Sequence, residues 1–208
     1  MTVSTNVNSP NFWDNLYKSN QSGWDLGGPT PVFVRLAKEN QLVPGKMLVL
    51  GAGHGHDARL FAKHGFGVTA IDFSAEAIEV MNRLNDPSFA VEVVQADLFS
   101  LPVSWNGRFD YILDYTSFCA VLPGRRSEYA DLVTRLLKPG GKYIILAFPI
   151  GTRLGGPPFV VQPDAIVDLY TERGYSLHHR EVPFDSVINR KRYEELLILE
   201  KMGNHPLK

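Results

Sequence analysis

Between Met47 and Phe148, short apolar runs alternate with stretches of helical periodicity, and the first run, Met47-Leu48-Val49-Leu50, empties into Gly51, Gly53 and Gly55. Such an alternation predicts parallel strands joined by helices, an α/β protein built around a largely parallel sheet. The later strands are expected at Val68–Ile71, Val91–Val94, Tyr111–Leu113 and Tyr143–Phe148, with helices over Ala58–His64, Ala75–Leu84 and Glu128–Leu137. Ser74 is the expected N-cap of the second helix and Gly65 the stop of the first. Lys138-Pro139-Gly140-Gly141 ends the third helix and resets the chain for a strand.

After Pro149 the pattern changes. Residues 151–158 hold three glycines and two prolines and read as a loop. A helix over Asp164–Arg173 follows, and Tyr175–Arg180 and Leu196–Leu199 read as an antiparallel hairpin added at the sheet edge. Residues 10–40 form a different piece, an aromatic N-terminal cap with two of the three tryptophans, Trp13 and Trp24. Phe12–Tyr17 predicts a short helix, and Pro31 opens another that runs to about Asn40. At 208 residues the whole chain, 1–208, reads as a single domain, for which a monomer is the default.

Composition removes several classes of function. A net charge of -1, with 21 basic and 22 acidic residues, supplies no field for nucleic acid. No apolar run reaches the ~20 residues of a membrane helix, and the start lacks the basic and apolar parts of a signal peptide. The single cysteine, Cys119, suits a reducing compartment, so a cytoplasmic location is expected.

The glycines and the carboxylates at strand ends point to a nucleoside cofactor. The spacing Gly51-x-Gly53-x-Gly55 does not complete the dinucleotide pattern, because His56 stands at the sixth position, and no P-loop lysine follows. A cofactor without a pyrophosphate, such as S-adenosylmethionine, asks less of the helix terminus and more of polar groups on successive strand ends. Asp72, about two dozen residues after the glycines, is expected to bind ribose hydroxyls. Asp97, with the backbone at Ala96, is expected at the adenine edge, and Phe73 and Leu98 would sandwich the purine. Asp114 ends the fourth strand in the same way. His54 and His56 have no companion ligand at metal-site spacing, so no metal is expected.

These segments together resemble class I S-adenosylmethionine-dependent methyltransferases, and more narrowly the thiopurine S-methyltransferase-like family, closest to its thiol and halide methyltransferase branch. The residues that carry the resemblance are Trp24-Asp25-x-Gly27-x-Pro29-Thr30-Pro31, Gly51-Ala52-Gly53-His54-Gly55-His56-Asp57, Asp114-Tyr115-Thr116-Ser117-Phe118-Cys119-Ala120, Leu137-Lys138-Pro139-Gly140-Gly141 and Gly155-Gly156-Pro157-Pro158-Phe159. The resemblance implies a Rossmann-like three-layer sandwich with a mostly parallel seven-stranded sheet. It implies that the glycines pass beneath the methionine portion, that Trp24 helps close the pocket, and that Asp114 lies near the methionine end. At Tyr115 the thiopurine branch carries an arginine, and its replacement turns the expectation away from thiopurines.

The expected reaction is direct displacement by a small soft nucleophile, a thiol, bisulfide or halide, releasing S-adenosylhomocysteine. Tyr115, Asp25, His178 and His179 are the candidates for proton handling, and Arg153 in the glycine-rich loop for attracting an anion. At most one of His178 and His179 is expected to point inward, since neighbours on a strand alternate. Cys119 is expected to be a small core or pocket residue. Methylation of oxygen or nitrogen on another small molecule, or cofactor binding without turnover, stay open at this point.

Overall fold

The computed structural model describes residues 6–39 and 42–203, and its chain divides into two compact units, Met1–Ser100 and Leu101–Lys208. Seven strands make one mixed, mostly parallel sheet, the α/β, Rossmann-like architecture expected.

The first unit contains α1 (Pro10–Lys18), α2 (Pro31–Lys38), β1 (Lys46–Leu50), α3 (His56–Lys63), β2 (Gly67–Asp72), α4 (Ala75–Arg83) and β3 (Glu92–Gln95). Strand β1 pairs in parallel with β2, and β2 with β3. Four of the five residues of β1 are buried, which is why it reads as a continuous apolar run rather than an alternating one. Phe33, Leu36, Met47, Leu48, Phe61, Ile71 and Met81 are each at most 2% exposed and form the core of this unit. Ser74 caps α4 as expected, its hydroxyl accepting from the Ala77 N–H.

Both cap helices begin with proline at the first helical position, where the missing N–H is no loss. Helix α2 buries Val32, Phe33, Leu36 and Ala37 and packs against α3. It ends at Lys38, and the predicted last residue, Asn40, lies outside the described residues. Helix α1 buries no residue fully, and polar bonds hold it to α4. Asp14 accepts from the Ser74 hydroxyl at 2.5 Å, and Lys18 pairs with Glu76 at 3.1 Å.

The second unit contains β4 (Phe109–Tyr115), α5 (Arg126–Leu136), β5 (Leu137–Ala147), α6 (Pro163–Thr171), β6 (Tyr175–Glu181) and β7 (Glu195–Lys201). Strands β4 and β5 are parallel, while β7 runs antiparallel to both β5 and β6, so the late hairpin is present and β7 lies between β5 and β6. One boundary differs from expectation: β5 begins at Leu137, and Lys138–Gly141 lie inside it. The register against β4 shifts between Phe109 and Tyr111, and Gly140 has φ 76°, so the Pro-Gly-Gly segment forms an irregularity in the strand. Among the described residues no helix is long and apolar enough to cross a membrane.

Candidate active site

Three positive-φ glycines turn the chain from β1 into α3: Gly51 (56°), Gly53 (55°) and Gly55 (70°). At Gly53 a Cβ would meet the Tyr17 hydroxyl at 3.2 Å, and at Gly55 it would meet Met81 Cγ at 2.7 Å. Gly55→Ala therefore combines a left-handed backbone cost of about 1–2 kcal/mol with displacement of a buried methionine. The expected result in scanning calorimetry is a melting temperature lower by about 4–8 °C, and an unchanged value would show that neither the left-handed backbone nor Met81 resists the substitution.

Asp72 ends β2 and is only 8% exposed. Its carboxylate accepts from the Gly53 N–H at 2.7 Å and from the Ser74 N–H at 2.9 Å, so one side chain ties the glycine turn to the N-terminus of α4. Burial pushes its carboxyl up, while the backbone donors at Ser74, Gly53 and Phe73 pull it back. The Asp72 carbonyl accepts from the Ala96 N–H at 3.1 Å, which brings Ala96 and Asp97 beside it. Asp97 uses one oxygen to cap its own turn, accepting from the Phe99 N–H at 3.0 Å. Phe73 and Leu98 are both partly exposed.

The aromatic cap closes on the same turn. Trp24 donates its indole N–H to the Tyr17 hydroxyl at 3.1 Å, and the Tyr17 ring lies 5.1 Å from that of His54. Asp25 pairs with His54 Nδ1, lies 3.2 Å from His56 Nε2 and accepts from the Gly27 N–H at 2.8 Å. These contacts, led by His56, hold its carboxyl well below the usual range. Asp25 is thus a fixed anion that latches the cap to the glycine turn, and the proton-handling role expected for it does not suit so weak a base. Asp57, which no spacing marks, anchors α2 by accepting from the Thr30 N–H and hydroxyl at 2.7 and 2.8 Å.

Asp25, His54 and His56 place one ligand atom each within 4.8 Å of one another. Arg59 Nη2, however, lies 3.2 Å from His56 Nδ1. A guanidinium only donates, so Nδ1 accepts and the neutral ring carries its proton on Nε2, the atom a metal would need. The cluster is better suited to hydrogen bonding than to ligation.

In the second unit, Asp114 is 0% exposed. Its carboxylate accepts from the hydroxyls of Tyr129 at 2.5 Å and Tyr143 at 2.7 Å and from the Phe118 N–H at 3.1 Å. The side chain is an internal strut of the segment that follows β4. Thr116, in that segment, has φ 64°, a conformation rare for a β-branched residue. Cys119 is 2% exposed and burial pushes its thiol up to about 12, which suits a core residue and not a nucleophile.

Tyr115 points its hydroxyl at Glu194, and Arg190 donates to the same oxygen. The Arg190 guanidinium stacks on the rings of Tyr115 at 5.2 Å and Phe148 at 4.8 Å and is 7% exposed. Neither Arg190 nor Glu194 is marked by spacing, since both sit in or beside a polar connection that reads as solvated. Arg153 lies in an exposed stretch of the glycine-rich loop. His178 and His179 are both more than a third exposed and pair with Glu200 and Glu181, so neither points inward. The register of β6 shifts between Leu177 and His179, so the strict alternation that allowed at most one of them inward does not run through this pair.

The sequence profile of the thiopurine S-methyltransferase family matches residues 8–195. The chain belongs to that family. It is an S-adenosylmethionine-dependent methyltransferase. It is 38% identical over 161 residues to probable thiol methyltransferase 2 of Arabidopsis thaliana, covering 74% of this chain and 69% of that one. With thiocyanate methyltransferase 1 of the same plant it is 32% identical over 189 residues, covering 88% and 82%. Among solved structures, a chain studied for the conversion of a disulfide bond into a thioacetal group during echinomycin biosynthesis superposes with a TM-score of 0.73 at 23% identity, covering 93% and 94%; this likeness concerns the fold.

The residues of this methyltransferase fit the cofactor. A buried carboxylate at the end of β2 offers acceptors for a ribose diol, and the turn beside it has no side chain at Gly53, where a Cβ would already touch Tyr17.

Proposed function

We propose that this methyltransferase acts on a small soft nucleophile, a thiol, bisulfide or halide. The observation that carries this reading is its identity to two enzymes named for thiol and thiocyanate methylation. Gly51, Gly53 and Gly55 with Asp72, Phe73, Ala96, Asp97, Leu98 and Trp24 are the residues proposed to hold the cofactor. S-adenosylmethionine, when bound, supplies a methyl group already activated on a sulfonium.

The chain's own work is then alignment and exclusion of water rather than activation of the electrophile. Asp72 fixes the glycine turn through Gly53, and the latch from Asp25 to His54 holds Trp24 and Tyr17 over that turn. Tyr115 is proposed to contact the acceptor. Burial pushes its phenol up, so it stays neutral and presents a hydrogen-bonding, polarizable face instead of an anion.

The test is a competition assay with labelled S-adenosylmethionine and a panel of small alkyl thiol, bisulfide, iodide, thiocyanate and a primary amine. Turnover is expected with the sulfur nucleophiles and iodide. Methylation of the amine alone would overturn the reading.

A further inference from the structure

Glu194 is 2% exposed, and neither cofactor binding nor core packing accounts for it. It immediately precedes β7, and Tyr115 of β4 points its hydroxyl at it. Arg190 and Asp185, from the connection between β6 and β7, are the charged groups that act on it, beside the neutral hydroxyls of Tyr115 and Ser186. Burial and Asp185 raise its carboxyl, while Tyr115 and Arg190 lower it.

A buried glutamate beside an arginine ordinarily makes a direct ion pair. Here a phenol stands between them: Arg190 donates to the Tyr115 oxygen, and Tyr115 donates to Glu194. A hydroxyl so placed passes a proton without ever ionising, because its oxygen takes one up as it releases another. Tyr115 itself is a poor site for net charge, since burial and the neighbouring Glu194 both push its phenol up. The other proton-handling candidates are committed elsewhere, Asp25 to His54 and the two exposed histidines to Glu200 and Glu181.

We infer that Glu194 accepts, through the hydroxyl of Tyr115, the proton of a thiol acceptor; this rests on the reading of the acceptor as a sulfur nucleophile. The S–H bond breaks and its proton forms an O–H bond on Tyr115, while the proton formerly on Tyr115 forms an O–H bond on Glu194. The electron pair freed on the acceptor sulfur forms the new S–CH3 bond, and the pair of the broken sulfonium–methyl bond stays on S-adenosylhomocysteine. A halide carries no proton and needs none of this relay. Glu194 acts through Tyr115 and is not itself in contact with the acceptor.

The experiment compares a small alkyl thiol with iodide in the full-length chain, unmodified and as Glu194→Gln. Near neutral pH, kcat/KM for the thiol relative to iodide is expected to fall by about 100-fold in the variant, the range of general acid–base catalysis. The deficit should close as the pH passes the thiol's own pKa, because the acceptor then arrives already ionised. Tyr115→Phe, which keeps the ring, should reproduce the change in ratio and serves if Glu194→Gln does not fold. A second readout needs no turnover: the 13C shift of labelled glutamate, assigned by difference with the variant, should show Glu194 ionised near neutral pH.

An equal loss for thiol and iodide, a deficit that persists above the thiol's pKa, or a Glu194 still protonated near neutrality would overturn the relay alone. Turnover of neither acceptor by the unmodified chain would overturn the acceptor reading, and the relay with it.

Discussion

Asp114→Ala is expected to lower the unfolding free energy by about 3–5 kcal/mol, the sum of several buried donors left without an acceptor at about 1–3 kcal/mol each. The carboxylate is wholly buried, and the hydroxyls of Tyr129 and Tyr143 and the Phe118 N–H all end on it. Alanine orphans all three. Tyr129 has a partial substitute in the Ser117 hydroxyl oxygen at 3.3 Å, which keeps the total below the full sum. Against a typical domain stability of about 5–15 kcal/mol, the loss is large enough to appear as a much earlier urea midpoint. Asp114→Asn retains one acceptor oxygen and should lose only about 1–2 kcal/mol.

The two substitutions share one pH dependence, since neither alanine nor asparagine titrates. Burial raises the Asp114 carboxyl, so the folded state binds a proton more tightly than the unfolded chain does. Its contribution is therefore greatest below the unfolded carboxylate value of about 3.9 and is lost as the pH rises through the higher folded value. Asparagine does not titrate. The deficit of Asp114→Asn should thus shrink as the pH climbs through that window, and a gap that widens instead would show that the ionised form is the better held one.

Asp114 also marks where a strand-end rule stops being informative. Asp72 and Asp114 look alike in sequence, each a carboxylate closing an apolar run. They differ in what arrives from farther along the chain. The oxygens of Asp72 are met by backbone donors of its own turn and the glycine turn, whereas one oxygen of Asp114 is met by tyrosines from α5 and β5. Tyr129 and Tyr143 read simply as apolar positions of a helix and a strand, so nothing local announces that their hydroxyls converge.

The sheet and the glycine turn were legible because their signals are short-range: apolar runs and closely spaced glycines. The late half was less so. Arg190 belongs to Asn189-Arg190-Lys191-Arg192, which looks like a solvated basic run, yet the fold buries Arg190 against two aromatic rings. Alternation allows at most one of His178 and His179 to point inward, and an edge strand with a shifted register turns both to solvent. Positions set by chain reversal and register are tertiary facts that periodicity does not encode.

Asp72→Ala should bring these strands of argument to their sharpest result, a loss of about 100- to 10,000-fold in affinity for S-adenosylhomocysteine measured by calorimetry. Two hydrogen bonds from ribose hydroxyls to a carboxylate, at about 1.5–3 kcal/mol each, account for that range. The same substitution removes the acceptor that pins the Gly53 and Ser74 N–H groups, so the turn loses its fixed shape before any ligand arrives. Asp72→Asn separates the two effects. Its single carbonyl oxygen satisfies only one of the two backbone donors, while its amide can still meet a hydroxyl, so its affinity should fall between that of the unmodified protein and that of the alanine variant. The thermal shift produced by saturating ligand should shrink in the same order, since stabilisation follows the ratio of ligand concentration to Kd. An alanine variant that keeps its melting temperature and binds within threefold of the unmodified protein would remove Asp72 from the cofactor site and leave it only the work of joining β2 to the glycine turn.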